Sequence, residues 1–313
     1  MYIGIDVGGT NLKAGLVDES GRILADARTP LDFRGAEAFA QDLAQLARDV
    51  LRRGGVSEDR ISYIGIGLPG AVAHGSVLYT CNIPLKNVPL AELFRREIDL
   101  PVLLENDANC AAVGEWLCGA GRGSRNFVTV TLGTGVGGGF ILNGKLYAGG
   151  GTVGEVGHMV VEKGGALCSC GRRGCWEAYT SATGLIRMTR ETMARHPESL
   201  LHAVSAENGG RVEGRTAFQA ARAGDKAALE LCRTYVSYLA AGMTNLVNIL
   251  QPEILAIGGG ISGAPEELLL SPLRAQVEEE CYPRHIGKLP RIVRAELGND
   301  AGIIGAALLR RAI

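Results

Sequence analysis

Met1-Tyr2-Ile3-Gly4-Ile5-Asp6-Val7-Gly8-Gly9-Thr10 opens the chain, and its pattern returns at Phe127-Val128-Thr129-Val130-Thr131-Leu132-Gly133-Thr134-Gly135. In both stretches an apolar run of strand length ends in a turn of glycine and threonine, with Gly8 falling on Gly133. Such a run, cut off by glycines, reads as a buried strand. The segments downstream match as well. Residues 12–17 and 139–142 read as second strands. Each leads into a hairpin signal, Asp18-Glu19-Ser20-Gly21 before Arg22-Ile23-Leu24 and Asn143-Gly144 before a third strand. Strand, turn, strand, hairpin, strand, twice over, predicts an internal duplication and two related α/β halves. A chance likeness of two glycine-rich hairpins is the competing reading.

Between these blocks the apolar period changes. Residues 36–53 carry Phe39, Leu43, Leu46, Ala47, Val50 and Leu51 at helical spacing and stop at Gly54-Gly55. Residues 61–67 and 101–104 read as strands, and Asn106-Asp107 starts a helix reaching about Leu117. Helix periods cover 183–195, 216–223 and 226–249. Pro252-Glu253 then leads to a strand at 254–257, the turn Gly258-Gly259-Gly260, a last strand at 291–295 and an apolar helix at 301–309. No Ser- or Pro-rich linker intervenes, which predicts two halves sharing a cleft.

Composition bounds the function. The chain has 313 residues, 46% hydrophobic and 21% charged, enough for two domains with folded cores. Lys+Arg is 32 against Asp+Glu 33, a balance that argues against a nucleic-acid partner. Glycine, at 45 residues, has no G-x-y period, so the excess points to tight turns rather than collagen. The most apolar long stretch, 235–261, contains Asn245, Asn248, Gln251, Pro252 and Glu253, too polar for a bilayer core. With no targeting segment read at the start, a soluble cytoplasmic protein is expected.

Three turns and one step carry the chemistry. Asp6 ends an apolar strand, where a carboxylate needs a partner. Hydrated Mg²⁺ is one, with the N–H groups of Gly8 and Gly9 and the Thr10 hydroxyl facing phosphate oxygens. A plain hairpin with Asp6 satisfied by backbone is the other. Gly133-Thr134-Gly135-Val136-Gly137-Gly138-Gly139 lets backbone approach a phosphate, or forms a flexible hairpin. Gly258-Gly259-Gly260 lies against a sugar or base, or simply enters a helix. Asp107, at a strand-to-helix junction, is placed to act as a general base, with Asn106 orienting a polyol. Ordinary N-capping accounts for the same two residues.

Of eight cysteines, three crowd into Cys168-Ser169-Cys170-Gly171-Arg172-Arg173-Gly174-Cys175. With His158 of Gly154-Glu155-Val156-Gly157-His158 they make a Cys₃His set for a structural Zn²⁺, against free thiols beside an unrelated histidine. A metal on one ring nitrogen of His158 leaves the other for a ligand, and Glu155 and Glu177 are spaced to grip neighbouring hydroxyls. Cys81, Cys110, Cys118, Cys232 and Cys281 stand alone and read as ordinary thiols.

Together these motifs resemble the ROK family of bacterial sugar kinases and sugar-responsive repressors. The resemblance spans nearly the whole chain, and the run from Glu155-Val156-Gly157-His158 to Cys175-Trp176-Glu177 is its most specific part. It implies an α/β protein of actin-like ATPase fold (a duplicated ribonuclease H-like unit), with two α/β domains flanking a cleft. The expected division is 1–107 with 297–313, and 108–296 carrying the zinc loop. It further implies Asp107 as catalytic base. Asp6, Gly8, Gly9 and Thr10 form one site for the phosphates and Mg²⁺ of ATP, and Gly133, Thr134 and Gly135 form another. Gly258 and Gly259 lie near the adenosine. The sugar falls to Gly70, Asn82, Asn106, Asp107, Glu155, His158 and Glu177, and zinc to His158, Cys168, Cys170 and Cys175. A homodimer or homotetramer is implied. Family repressors carry a helix-turn-helix before the first turn, which here starts at residue 6, so a kinase is expected. Leu68-Pro69-Gly70-Ala71-Val72 and residues 82–90 look most like the glucokinase branch, implying an ATP-dependent kinase for the 6-hydroxyl of glucose. Kinases for N-acetylmannosamine, allose, fructose or N-acetylglucosamine, a non-catalytic sugar sensor and an actin-like filament protein are the alternatives.

Overall fold

The computed structural model describes residues 1–80 and 83–313. The chain forms two compact units, one of Met1–Thr129, Gly139–Gly154 and Glu296–Ile313, the other of Val130–Gly138 and Glu155–Ala295.

The first unit begins with an antiparallel meander of β1 (Tyr2–Val7), β2 (Asn11–Val17) and β3 (Ile23–Pro30), in which Asp6 pairs with Lys13. Helix α1 (Ala36–Gly54) turns Phe39, Leu43, Leu46, Ala47 and Val50 inward and stops where Gly55 takes a left-handed conformation. β4 (Ile64–Leu68) then adds to β1 in parallel. A small three-stranded sheet of β5 (Ala71–Ala73), β6 (Ser76–Tyr79) and β7 (Lys86–Val88) comes next, followed by α2 (Leu90–Arg95). β8 (Val102–Asn106) pairs with β4 in parallel and runs straight into α3 (Asp107–Cys118). Ile3, Ile5, Leu16, Phe39, Leu43, Ile66 and Phe94 are fully buried together. Each contributes roughly 1.5–3 kcal/mol by leaving water.

β9 (Phe127–Leu132), β10 (Val136–Leu142) and β11 (Lys145–Leu146) repeat the meander. Asn143 and Gly144 between the last two have φ of 55° and 76°, the pair of positive angles that an Asn-Gly hairpin turn requires. The other helices are α4 (Glu177–Thr180), α5 (Ala182–Arg195), α6 (Leu201–Glu207), α7 (Thr216–Arg222) and α8 (Lys226–Leu250). β12 (Ile254–Gly258), α9 (Leu270–Glu280), β13 (Arg291–Arg294) and α10 (Ala301–Ala307) complete the order, with β12 and β13 parallel.

The two sheets run β3-β2-β1-β4-β8 and β11-β10-β9-β12-β13. Strand for strand, the second copies the first, so the duplication expected from the two glycine turns is present. Some boundaries differ: β4 starts at Ile64 rather than at residue 61. β10 starts at Val136, so Gly137, Gly138 and Gly139 lie within a strand rather than in the turn before it.

α10 returns to the first unit and lies close on α3. A Cβ on Gly305 would come within 1.6 Å of the Cys110 carbonyl, so only glycine permits this crossing. The Tyr63 hydroxyl donates to the Ala307 carbonyl, accepts the Arg310 N–H at 3.2 Å and ties the end of the chain to the sheet. In the second unit the fully buried Trp176 packs against α8, where a Cβ on Gly242 would lie 2.1 Å from the indole ring. Among the described residues, no helix is long and apolar enough to cross a membrane.

Candidate functional site

Asp6 is the penultimate residue of β1, and the β1–β2 turn follows it. Burial lifts its carboxyl above the ordinary value, against the pull of the Lys13 charge on β2. A Cβ on Gly302 of α10 would stand 3.0 Å from that carboxylate. The turn is pinned from below. Gly8 N–H donates to the Asn11 carbonyl at 2.9 Å, and Leu31 N–H to the Thr10 carbonyl at 2.9 Å. Among the described residues other than its two chain neighbours, none comes within 4 Å of where a Gly9 Cβ would be, so that side of the turn is open.

The second turn is closed by Gly133 N–H donating to the Gly135 carbonyl at 3.0 Å. It is tied to the start of α5. Ala182 N–H donates to the Gly133 carbonyl at 2.8 Å, and the Thr183 hydroxyl to the Thr134 carbonyl at 2.9 Å. Beside it is a cavity of about 800 Å³, walled by Gly133, Thr134, Phe218, Gly260, Ile261 and Pro265 among others. Its size suits a nucleoside. The second and third glycine turns are thus brought to one cavity. The third contributes Gly260 and Ile261 to the wall, while Gly258 and Gly259 stop short of it. Phe218, Gln219 and Arg222 of α7 also line it, and none of them is expected from sequence. Nothing in an ordinary amphipathic helix announces a nucleotide.

Asn106 ends β8 and caps α3, its Oδ1 accepting from the N–H groups of Ala108 at 2.9 Å and Asn109 at 3.2 Å. Its Nδ2 donates to the Gly70 carbonyl at 3.0 Å. The capping reading holds, and the same cap orients the amide and joins it to Gly70. Asp107 is the first residue of α3 and accepts the Ala108 N–H at 2.8 Å. Beneath them the buried Glu105 accepts the Asn106 N–H at 2.8 Å and the Asn109 side-chain amide at 3.0 Å. Glu105 is an addition to the residues expected from sequence. An acid next to Asn-Asp at a strand end is the signal that points to it. Asn82 lies outside the described residues.

The cysteine loop gathers as its spacing suggests. The ligand atoms of His158, Cys168, Cys170 and Cys175 all lie within 4.8 Å of one another. Cys170 and Cys175 sulfurs are 3.6 Å apart, and Cys168 Sγ is 3.7 Å from His158 Nδ1. Zn–S bonds of about 2.3 Å at tetrahedral angles span edges of about 3.7 Å, so the donor set fits zinc. Without metal, burial pushes the Cys175 thiol up to about 12, whereas the Arg172 N–H holds Cys170 below its ordinary value. A cation at the centre would hold the sulfurs as thiolates.

With Nδ1 of His158 turned to the sulfurs, Nε2 faces Glu155, 3.8 Å from its Oε2. Glu177 stands differently from Glu155. Its Oε2 accepts the Val136 N–H at 3.0 Å and its Oε1 the Ser169 hydroxyl at 2.9 Å.

The description "ROK family" matches residues 2–313 of the chain. A glucokinase of Thermotoga maritima is 40% identical over 97% of this chain and 95% of its own length. A glucokinase of Halalkalibacterium halodurans is 38% identical, covering 98% and 94%. Among solved structures, a ROK family glucokinase from Streptomyces griseus in complex with glucose and AMPPNP superposes with a TM-score of 0.83, at 35% identity over 98% of both chains. The duplicated sheets described above are thus those of the actin-like ATPase fold.

Proposed function

The chain belongs to the ROK family, and from that premise we propose that it is an ATP-dependent hexose kinase acting on the 6-hydroxyl of glucose. The observation that carries the reading is the set of parts found in one chain: a carboxylate at the strand-to-helix junction of Asp107, two pinned glycine turns, and a nucleoside-sized cavity beside the second. Identity of 40% to a glucokinase over nearly the full length supports the choice of glucose.

In this reading Asp107 accepts the proton of the 6-hydroxyl as that oxygen attacks the γ-phosphorus and the bond to the departing ADP breaks. Asn106, held by its cap and by Gly70, orients the sugar, with Asn82, Glu155 and His158 completing the grip. The N–H groups of Gly8 and Gly133 are spent on closing their own turns, and the remaining backbone N–H groups of Gly8-Gly9-Thr10 and Gly133-Thr134-Gly135 face the phosphates, where they stabilise charge without reorganising. Phe218, Gly260 and Ile261 receive the adenosine. Magnesium arriving with ATP supplies charge neutralisation, and Asp6 would hold it through water. Zinc, held by His158, Cys168, Cys170 and Cys175, would fix the His158 ring so that Nε2 meets a sugar hydroxyl. The work is cytoplasmic, where ATP is, and the expected homodimer or homotetramer is read by light scattering.

The test is a coupled assay for sugar phosphate and ADP over glucose, N-acetylmannosamine, allose, fructose and N-acetylglucosamine. Glucose should give the highest kcat/KM. A better substrate elsewhere in the panel moves the assignment to that sugar. No phosphate ester from any sugar with Mg·ATP leaves a sugar-binding protein without kinase activity.

A further inference from the structure

Glu177 follows the last cysteine of the loop by two positions, yet its carboxylate reaches a different part of the second unit. Oε2 accepts the N–H of Val136, the residue that leaves the Gly133-Thr134-Gly135 turn. A Cβ on Gly135 would lie 2.6 Å from that same oxygen, so glycine at 135 is what lets the carboxylate come against the turn. Oε1 accepts the hydroxyl of Ser169, which sits between Cys168 and Cys170, and lies 3.7 Å from Cys168 Sγ. The segment bearing His158 closes the same knot: a Cβ on Gly157 would meet the Val136 carbonyl at 2.4 Å and the Glu177 Cβ at 3.3 Å. Both carboxylate oxygens thus accept from donors within the protein. The turn is closed by one backbone hydrogen bond and tied to α5 through the Gly133 and Thr134 carbonyls, and Glu177 supplies the charged acceptor that holds its exit at Val136.

We propose that Glu177 is a positioning residue that straps the cysteine loop to the second phosphate turn, so that the order of the loop sets how tightly the chain holds ATP. This rests on the kinase reading and departs from the role of Glu177 as a sugar ligand alone. A loosened strap lets the Gly133-Thr134-Gly135 backbone wander, and the N–H groups lose their aim at the phosphates.

The experiment measures binding of Mg·AMPPNP by calorimetry, without sugar, to the full chain with its zinc content determined in parallel. Glu177→Ala should weaken binding on the order of tenfold or more, the scale of a lost charge-assisted hydrogen bond. Glu177→Gln should restore most of it, because the amide oxygen can accept from Val136 N–H and the amide nitrogen can donate to Ser169. Ser169→Ala, an exposed position that leaves folding intact, should weaken it by about threefold or more. Unchanged nucleotide affinity in Glu177→Ala, with only the KM for sugar raised, overturns the strap. If Glu177→Ala does not fold, unchanged affinity in Ser169→Ala overturns it instead. A wild-type chain that binds no nucleotide sinks the kinase reading and the strap together. Wild-type binding with unmoved variants sinks the strap alone.

Discussion

The indole N–H of Trp176 donates to the backbone carbonyl of Tyr238 at 2.8 Å, and its ring lies on α8 where Gly242 has no side chain. Because Cys175 and Glu177 flank Trp176, this one buried ring anchors the cysteine loop to the longest helix. Gly242→Ala should force the ring outward at an overpacking cost of about 1–3 kcal/mol. Scanning calorimetry should show the melting temperature falling by roughly 2–6 °C. An unmoved melting curve would show that the ring has room to spare.

Asp107→Asn keeps the size of the side chain and removes the base. The expected outcome is a fall in kcat of about 10²–10⁴ with glucose affinity little changed, read by steady-state kinetics beside equilibrium sugar binding. An unchanged kcat would take Asp107 out of the proton transfer.

Asp6 should trade stability against activity. Its carboxyl sits above its ordinary value in the folded chain, so the native state binds that proton more tightly than the unfolded state does. The ligand-free fold therefore loses stability as pH rises through the raised value, and the loss is complete above it. Asp6→Asn removes the penalty and should raise the melting temperature at pH 7 by about 1–3 °C. The gain should shrink as pH falls toward 3.8, the ordinary carboxylate value. In the same variant kcat should fall by about 10²-fold or more, since Mg·ATP loses a charged partner. Equal melting temperatures at both ends of the pH range would show that the carboxylate carries no penalty.

Cys170→Ser tests the loop as a metal site. Atomic spectroscopy of the purified variant should show zinc falling from one per chain toward none. The KM for glucose should rise on the order of tenfold as His158 loses its fixed orientation. Full metal content with an unaltered KM would leave Cys170 as an ordinary exposed thiol.

Much of the fold is legible in the sequence itself. β1 and β9 have the bounds that their apolar runs suggest, and α1, α5 and α8 end within a residue or two of their helical periods. Long buried faces impose their period on the sequence, and glycine turns mark where it breaks. The β5–β6–β7 sheet leaves no such mark, because strands of three or four residues are too short to show alternation. α9 is equally silent. Pro272 in its first turn and a largely polar face leave Leu270, Leu273 and Val277 as its only buried side chains. The site divides the same way. The cysteine set follows from spacing along one loop, whereas Phe218 and the bond from Glu177 to Val136 depend on which segments the fold lays side by side.

The first unit is not contiguous: residues 1–129 and 139–154 are completed by 296–313, whose α10 lies on α3 at Gly305. During synthesis, that partner leaves the ribosome after the whole of the second unit. A nascent chain that has emerged through 295 holds every residue of the second unit but lacks the helix that covers Cys110 and braces the start of the first. The half translated first is therefore finished second, and until α10 emerges its uncovered sheet face is the surface a chaperone would meet.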